Sequence, residues 1–331
     1  MHQISRALVF CAASACANLA AAHPFSFALW GDMPYAKNKD SESTHAVIQS
    51  INRSKVRFSI YDGDIKDGSS QCTDNIYTDA VAMFNSLKQP AVYVPGDNEW
   101  TDCHRTNNGG YNGLERLDHL RKVMFSQPRS FGQKTMKLTQ QGQPGQKFAE
   151  NTRFAHDGVM FVNVNMPGSN NNLVTSEKDC AKKSARVAAD CEANNVEYLE
   201  RDAANIAWLR TAFTIARRAR HAGLVLVFQA DPGFDLPETE ETDESQQPRF
   251  EGYQAFMKAL VQETEQYKGQ VLLVHGDTHF FKMDKPLYSP SKVLSNLTRL
   301  QTFGSPVNHW VKVSVDVTSP EVFTIRPVMV P

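Results

Sequence analysis

Six apolar runs along the chain each end abruptly in a turn that contains glycine, aspartate or both. They occupy residues 25–30, 57–61, 91–95, 158–165, 224–228 and 271–274. A continuous apolar run, as opposed to an alternating one, is typical of a strand that is covered on both faces. The pattern therefore predicts a core built from sheets, with polar side chains presented where the strands end.

Segments with a helical period of apolar residues lie between these runs, at about residues 46–54, 78–88, 197–219 and 251–267. Strands that alternate with helices predict the α/β class. Three later strand patterns, at 296–303, 310–317 and 322–328, follow one another without helices and predict a second, largely antiparallel sheet. Two polar stretches, at about 106–153 and 168–195, resemble insertions. No linker divides residues 23–331, which we predict to form a single domain.

The first 22 residues have the composition of a secretory signal peptide. A basic start is followed by a short stretch of small and apolar residues, and Ala20, Ala21 and Ala22 form a cleavage signal. This stretch is too short to span a bilayer as a helix, and no other stretch is long enough. Lipoprotein processing at Cys16 is a weaker alternative, because Ala13 stands where a large aliphatic residue is expected. The mature chain is predicted to be exported, to the periplasm or the medium.

Four cysteines remain after the predicted cleavage. Cys180 and Cys191 lie within one polar stretch, and Cys72 and Cys103 follow two successive strands. Local pairing, Cys72 with Cys103 and Cys180 with Cys191, is the expected result in an oxidising compartment. A structural zinc site is the alternative, but none of the four cysteines lies in a C-x-x-C pair.

The charges of the chain nearly balance, with 35 basic and 36 acidic residues. Such a chain has no overall field that would hold a polyanion, so nucleic acid is not an expected partner. Hydrophobic residues make up 41% of the 331 residues, which is enough for a sizeable core. Because the charges balance overall, the informative charged groups are those that cluster locally.

Acidic side chains recur at the predicted strand ends, and one histidine joins them. The residues are Asp32, Asp64, Asp97, Asp277 and His279. In an open α/β sheet, ligands bind in the crevice beyond the carboxyl ends of the strands. Carboxylates gathered in such a crevice cannot all stay charged unless cations join them. The pattern therefore predicts a metal site.

The order of these residues resembles the signature of the calcineurin-like metallophosphoesterases. That signature reads D-x-H, G-D-x-x-D, G-N-H-[DE], a histidine near a proline, and G-H-x-H. Gly63, Asp64 and Asp67 match the second motif completely, and altered forms of the others run from Asp32 to His279. The resemblance implies a four-layer α/β–β/α sandwich of two mixed sheets flanked by helices.

The departures from the signature mostly remove histidines. Pro34 replaces the histidine of the first motif, and Asn98 replaces the phosphate-assisting histidine of the third. Asp97 stands where asparagine is usual, and Asp277 replaces the first histidine of the last motif. An oxygen-rich site prefers Mg²⁺, Mn²⁺ or Ca²⁺ to Zn²⁺, with iron as a further option.

The resemblance implies two divalent metal ions and a role for each matching position. Asp64 would bridge the ions, Asp32 and His279 would hold one, and Asp97 and Asp277 the other, with Gln229 or Asp231 assisting. Asn98 would take the place of the assisting histidine, and His104, Arg105 and His309 are candidates to contact the substrate phosphate or its leaving group.

The resemblance, together with the predicted signal peptide, implies an exported metal-dependent phosphoesterase that hydrolyses a small phosphomonoester or phosphodiester with a metal-activated water. Four carboxylates cancel the formal charge of two divalent ions, so a singly charged diester suits the site better unless Arg105 supplies positive charge. The alternative is a non-catalytic secreted relative that binds a hard ion, Ca²⁺ or Mg²⁺, for structure or ligand binding.

Overall fold

The computed structural model describes residues 23–234, 244–289 and 292–331, so the predicted signal peptide lies outside the described residues. The strands are β1 Phe25–Trp30, β2 Ser59–Tyr61, β3 Ala91–Tyr93, β4 Thr139–Gln140, β5 Thr152–His156, β6 Val159–Asn163, β7 Gly223–Val227, β8 Gln270–His275, β9 Lys282–Asp284, β10 Tyr288–Ser289, β11 Lys292–Val293, β12 Leu297–Gln301, β13 Trp310–Val315 and β14 Phe323–Val328. The helices are α1 Ser41–Arg53, α2 Asn75–Asn85, α3 Gly113–Met124, the four-residue turn α4 Gly168–Asn171, α5 Glu177–Ala181, α6 Ala188–Ala219 and α7 Gln254–Glu265.

Two mixed sheets carry the fold. The first has the order β14-β13-β1-β2-β3, in which β1, β2 and β3 are parallel and β13 and β14 are antiparallel additions. The second has the order β4-β5-β6-β7-β8-β12-β9, with a parallel centre of β6, β7, β8 and β12. The parallel strands are buried on both faces, as their continuous apolar runs predicted.

Apolar side chains fill the space between the two sheets and beneath the helices on each outer face. Phe27 and Ile60 of the first sheet share one buried cluster with Phe161 and Leu272 of the second. A second cluster joins α1, α2 and α3 to the first sheet, and a third joins α6 and α7 to the second sheet. The result is helices, sheet, sheet and helices, which confirms the predicted four-layer arrangement.

The three late strand patterns do not form a sheet of their own, and that prediction was wrong. β12 pairs in parallel with β8, whereas β13 and β14 extend the first sheet beside β1. Burial explains the division. β12 is largely buried and needs cover on both faces, which the centre of the second sheet provides. β14 is exposed at alternate positions, as befits an edge strand.

The two polar stretches contain ordered elements. Residues 106–153 include α3, whose Leu117 and Leu120 pack into the core beneath the first sheet. The stretch is also tied internally, because Arg121 donates to the buried carboxylate of Glu150 at 2.6 Å. Residues 168–195 include α4, α5 and the start of α6.

Both predicted disulfides are present. Cys72 is bonded to Cys103, with Cα atoms 5.7 Å apart, and Cys180 to Cys191, with Cα atoms 6.0 Å apart. Because all four cysteines are used in this way, the alternative of a four-cysteine zinc site is wrong. Of the helices in the described part of the chain, none combines the length and apolar character needed to cross a bilayer.

Asp202 of α6 offers a test of the packing around that helix. Its side chain is buried, its Oδ1 has no hydrogen-bond partner in the described part of the chain, and burial raises its pKa to about 6 despite the nearby charge of Arg201. The folded state therefore holds this proton more tightly than the unfolded state, and its contribution to stability is lost as pH rises from about 4 to about 6.

We expect Asp202→Asn to raise the free energy of unfolding at pH 7 by about 2–3 kcal/mol, and to change it little at pH 4. Urea denaturation of variant and parent at the two pH values measures the difference. Asp79→Asn, at an exposed position of α2, is the control. An equal effect of Asp202→Asn at both pH values would contradict the assignment.

Candidate metal centre

The carboxyl ends of the parallel strands of both sheets meet at one crevice. Asp32, Asp64 and Asp97 follow β1, β2 and β3 of the first sheet, and Gln229, Asp277 and His279 follow β7 and β8 of the second. Hydrogen bonds join the two groups across the crevice, as from Nε2 of Gln229 to Asp97 at 3.3 Å. The structure thus brings together side chains that are more than 200 residues apart in sequence.

Three carboxylates form the centre of this site. One oxygen each from Asp64, Asp97 and Asp277 lies within 4.8 Å of the other two. Among the described residues, no lysine or arginine forms a salt bridge with any of the three. This group could hold a divalent metal ion.

Gln229 fixes the spacing of two of these carboxylates. Its Oε1 accepts a hydrogen bond from the backbone N–H of Gly168 at 2.5 Å, so its Nε2 must face the crevice. That Nε2 donates to Asp97 at 3.3 Å and to Oδ1 of Asp277 at 3.0 Å. In this orientation the amide holds the two carboxylates in place and turns no oxygen toward them.

Asp32 and His279 form a second pair beside the triad. Nε2 of His279 lies 3.3 Å from Oδ1 of Asp32, and Nδ1 of His279 lies 2.6 Å from the carbonyl oxygen of Ser305. Donation from Nδ1–H to a backbone carbonyl is the usual arrangement of a histidine that binds metal through Nε2. Oδ2 of Asp32 is buried and has no hydrogen-bond partner among the described residues, as expected of an oxygen that binds a cation.

Tyr35 connects the three carboxylates to the pair of Asp32 and His279, and sequence reasoning missed it. Its hydroxyl donates to Oδ2 of Asp64 at 3.0 Å, accepts from Nδ2 of Asn98 at 3.2 Å, and lies 3.3 Å from Nε2 of His279. Asn98 also donates to Asp64 from Nδ2 at 2.6 Å and from its backbone N–H at 3.1 Å. The only sequence signal was the place of Tyr35 in the loop that follows Asp32.

Four residues of the site have a left-handed backbone. The φ angles are 52° at Asp32, 61° at Asp64, 49° at Asp277 and 67° at His279. This conformation is unfavourable for residues other than glycine, and it is found most often where function requires it. Here it turns each side chain sharply from its strand into the crevice.

Glycines allow the backbone to come close to the carboxylates. A Cβ atom at Gly96 would lie 2.1 Å from Oδ1 of Asp64, and one at Gly276 would lie 2.1 Å from Oδ2 of Asp32. Any side chain at either position would push a carboxylate away. The glycines of the G-D turns are therefore needed for close approach.

Burial shapes the electrostatics of the crevice. It raises the pKa of Asp32, Asp64 and Asp277, and the negative charge of Asp97 raises the pKa of the last two further. Burial lowers the pKa of His279, but its contact with Asp32 outweighs this and raises the pKa to about 9. The site thus concentrates negative charge that protons or cations must balance, and a metal ion would displace the proton of His279.

Ser169 and Asp102, which sequence reasoning also missed, connect Arg105 to the cluster. The hydroxyl of Ser169 bonds with Oδ2 of Asp97 at 2.8 Å and Oδ1 of Asp102 at 2.7 Å. Arg105 pairs with Asp102 at 2.6 Å and donates to Ser169 at 3.2 Å. Ser169 lies in α4, whose left-handed backbone suits its asparagines. Only packing between distant segments brings this turn to Asp97, so local sequence gave no signal.

The remaining predicted residues lie at different distances from the cluster. Asp231 and His104 line the same cleft as Asp277, but Oδ1 of Asp231 accepts from its own loop, and Nδ1 of His104 lies 2.9 Å from Oγ of Ser184. The structure does not bring His309 to the cluster. Its ring packs against Phe303, and its Nδ1 accepts from the N–H of Val330.

No family model matches the chain, and no curated protein matches its sequence. Similar solved structures include GAP50, "the anchor in the inner membrane complex of Plasmodium", at 13% identity and a TM-score of 0.45, over 93% of this chain and 89% of that one. Purple acid phosphatase PPD1 from yellow lupin (Lupinus luteus) seeds has 13% identity and a TM-score of 0.49, over 93% and 54%. The 5'-nucleotidase of Candida albicans SC5314 has 12% identity and a TM-score of 0.38, over 91% and 50%.

These neighbours are metallophosphoesterase-fold proteins. The chain itself has the two mixed sheets and the outer helices that the calcineurin-like resemblance implies.

Proposed function

We infer that the chain is a metal-dependent phosphoric ester hydrolase with an oxygen-rich site for two divalent ions. The observation that carries this proposal is the group of Asp64, Asp97 and Asp277, the first two buried and the third half-buried, whose oxygens lie within 4.8 Å of one another. Asp32 and His279 would hold the second ion, beside Asp64. Carboxylate ligands favour Mn²⁺, Mg²⁺ or Ca²⁺ over Zn²⁺.

Divalent ions at such a site supply an activated water and neutralise charge on the phosphoryl oxygens. The chain's own residues position the substrate. Arg105 is held by Asp102 and is about one-third exposed, so its guanidinium can pair with a phosphoryl oxygen. Asn98 and Tyr35 hold Asp64 in place through donated hydrogen bonds, which fixes the geometry of the ligands.

Neither Asn98 nor His104 can act as an efficient acid for the leaving group. Asn98 is a neutral amide and cannot transfer a proton. Burial, together with the charges of Arg186 and Arg105, lowers the pKa of His104 to about 3, so this imidazole is neutral at pH 7. Substrates with good leaving groups, such as aryl phosphates, are therefore favoured over alkyl phosphates.

The neutral Asn98 also supports the second candidate function, metal binding without turnover. Its Nδ2 is already engaged with Asp64 at 2.6 Å and with Tyr35 at 3.2 Å. An amide committed in this way has less capacity to hold a phosphoryl oxygen. In this case the ion would stabilise the strand ends or bind a ligand.

Export is part of the proposal. The N-terminal residues have the pattern of a signal peptide, and two disulfides form in the described part of the chain. Disulfides persist in oxidising compartments, which supports a periplasmic or secreted protein.

Metal-stripped protein assayed with bis(p-nitrophenyl) phosphate and p-nitrophenyl phosphate tests the proposal. We expect turnover to return with Mn²⁺, Mg²⁺ or Ca²⁺ more than with Zn²⁺, and to be faster on the diester, because the carboxylates leave little positive charge for a dianion. Calorimetry in parallel measures metal binding. Binding without turnover on either substrate would support the second function, and absence of both would contradict the two proposals together.

A further inference from the structure

A second, largely basic region adjoins the acidic cluster. It lies in a cleft of about 930 Å³ that begins at Asp277 and Asp231 and extends over α5. Six lysine and arginine residues line this cleft, against four aspartates, in a chain whose charges otherwise nearly balance. They are Arg105, Lys178, Lys182, Lys183, Arg186 and Arg249.

The cations come from three separate parts of the chain. Arg105 follows the third strand of the first sheet, Arg249 lies just before α7, and the other four belong to α5 and the segment after it. The disulfide between Cys180 and Cys191 ties that segment to α6. Because distant segments converge on this cleft, the cleft differs from the solvated end of a single helix.

The three lysines of this cleft are exposed. Lys178, Lys182 and Lys183 form no salt bridge with a carboxylate among the described residues. Arg186, half-buried behind them, donates to the carbonyl oxygens of Cys180 at 3.3 Å and Asp179 at 3.1 Å. A ligand with several negative charges would offset the mutual repulsion among such groups.

We propose that this cleft, which we call the basic cleft, binds the additional phosphates of a polyphosphorylated small molecule, such as a phosphate chain. The assignment rests on the proposed function, because one internal phosphoryl group, which carries a single negative charge, would lie at the acidic cluster while the rest of the ligand extends toward α5. Arg105 stands at the junction, since it lines the cleft and is linked to Asp97 through Ser169. The basic cleft thereby selects against substrates with a single phosphate.

A compact ligand fits the structure better than a nucleic acid. The positive residues are confined to one bounded cleft, and the nearly neutral chain provides no long-range field for a polymer. The adjoining carboxylates of Asp231 and Asp277 would also repel a polyanion that continued past the cleft.

The test measures binding of inorganic tripolyphosphate by calorimetry to metal-stripped full chain with both disulfides intact. The variant carries Lys178→Gln, Lys182→Gln and Lys183→Gln. The matched control carries Lys55→Gln, Lys134→Gln and Lys137→Gln, three exposed positions elsewhere, so both lose the same charge. We expect the Kd to rise about tenfold or more in the first variant, because three weak ion pairs multiply, and less than about twofold in the control.

The result is independent of turnover, since no metal is present, so loss of the proposed function and loss of this site are distinguishable. Tripolyphosphate that binds the two variants equally, or no more tightly than inorganic phosphate, would overturn the proposal. So would tighter binding of a single-stranded oligonucleotide that the lysine substitutions weaken, because the occupant would then be a polymer. A Kd for tripolyphosphate that rises with ionic strength supports it.

Discussion

Asp64→Asn is expected to lower metal-dependent turnover by about 10²–10³-fold and, at the same time, to stabilise the metal-free protein. The first effect follows because metal-held charge supplies several kcal/mol of transition-state stabilisation, and Asp64 is the carboxylate that both predicted ions share. The second follows because Asp64 is buried with Asp97 close by, and a neutral amide removes that repulsion.

Thermal unfolding with and without Mn²⁺ separates these effects. The parent should gain thermal stability on addition of metal, because an ion that binds only the folded state stabilises it. Asp64→Asn should have a higher Tm than the parent without metal and gain little when metal is added. Asp79→Asn, a substitution of the same kind on the surface of α2, should match the parent in both conditions. A normal metal-induced gain in the Asp64 variant would show that the ion binds elsewhere.

The sequence predicted the strands and the convergence of the acidic side chains well, because both depend on local pattern. Asp32, Asp64 and Asp97 each follow an apolar run directly, and parallel strands end at the same edge of a sheet. Nothing local could show that Gln229 would turn its nitrogen toward Asp97, because its orientation is set by the N–H of Gly168, 61 residues away.

Tertiary packing also determined the positions of Tyr35 and Ser169 and the sheet that each late strand joins. Tyr35 reaches Asp64 and His279 only because two sheets meet at their ends. β12 and β13 have similar strand patterns, yet they join different sheets. The neighbouring elements bury β12 more completely than they bury β13. Patterns of period two predict a strand, but they contain no information on its partner.

Of the structural features outside the proposed metal site, the disulfide between Cys72 and Cys103 is expected to have the largest effect on stability and on metal binding. Both cysteines are fully buried, and their sulfur atoms lie 3.6 and 3.7 Å from the carbonyl oxygen of Asn98. The bond therefore supports the turn that carries Asp97 and Asn98. Replacing both cysteines with alanine should lower the free energy of unfolding by roughly 3–4 kcal/mol, because the bond closes a loop of 31 residues.

The same substitution should also weaken metal binding by at least about tenfold, because Asp97 loses its support. Cys180→Ala with Cys191→Ala is the matched control. Its loop of 11 residues predicts a loss of about 3 kcal/mol, but the bond lies in α5 and α6 and does not contact Asn98. Denaturation in urea and calorimetry with Mn²⁺ measure the two quantities. If both pairs of substitutions weakened Mn²⁺ binding equally, general loss of stability would explain the effect, and the specific support of Asp97 by Cys72 and Cys103 would be refuted.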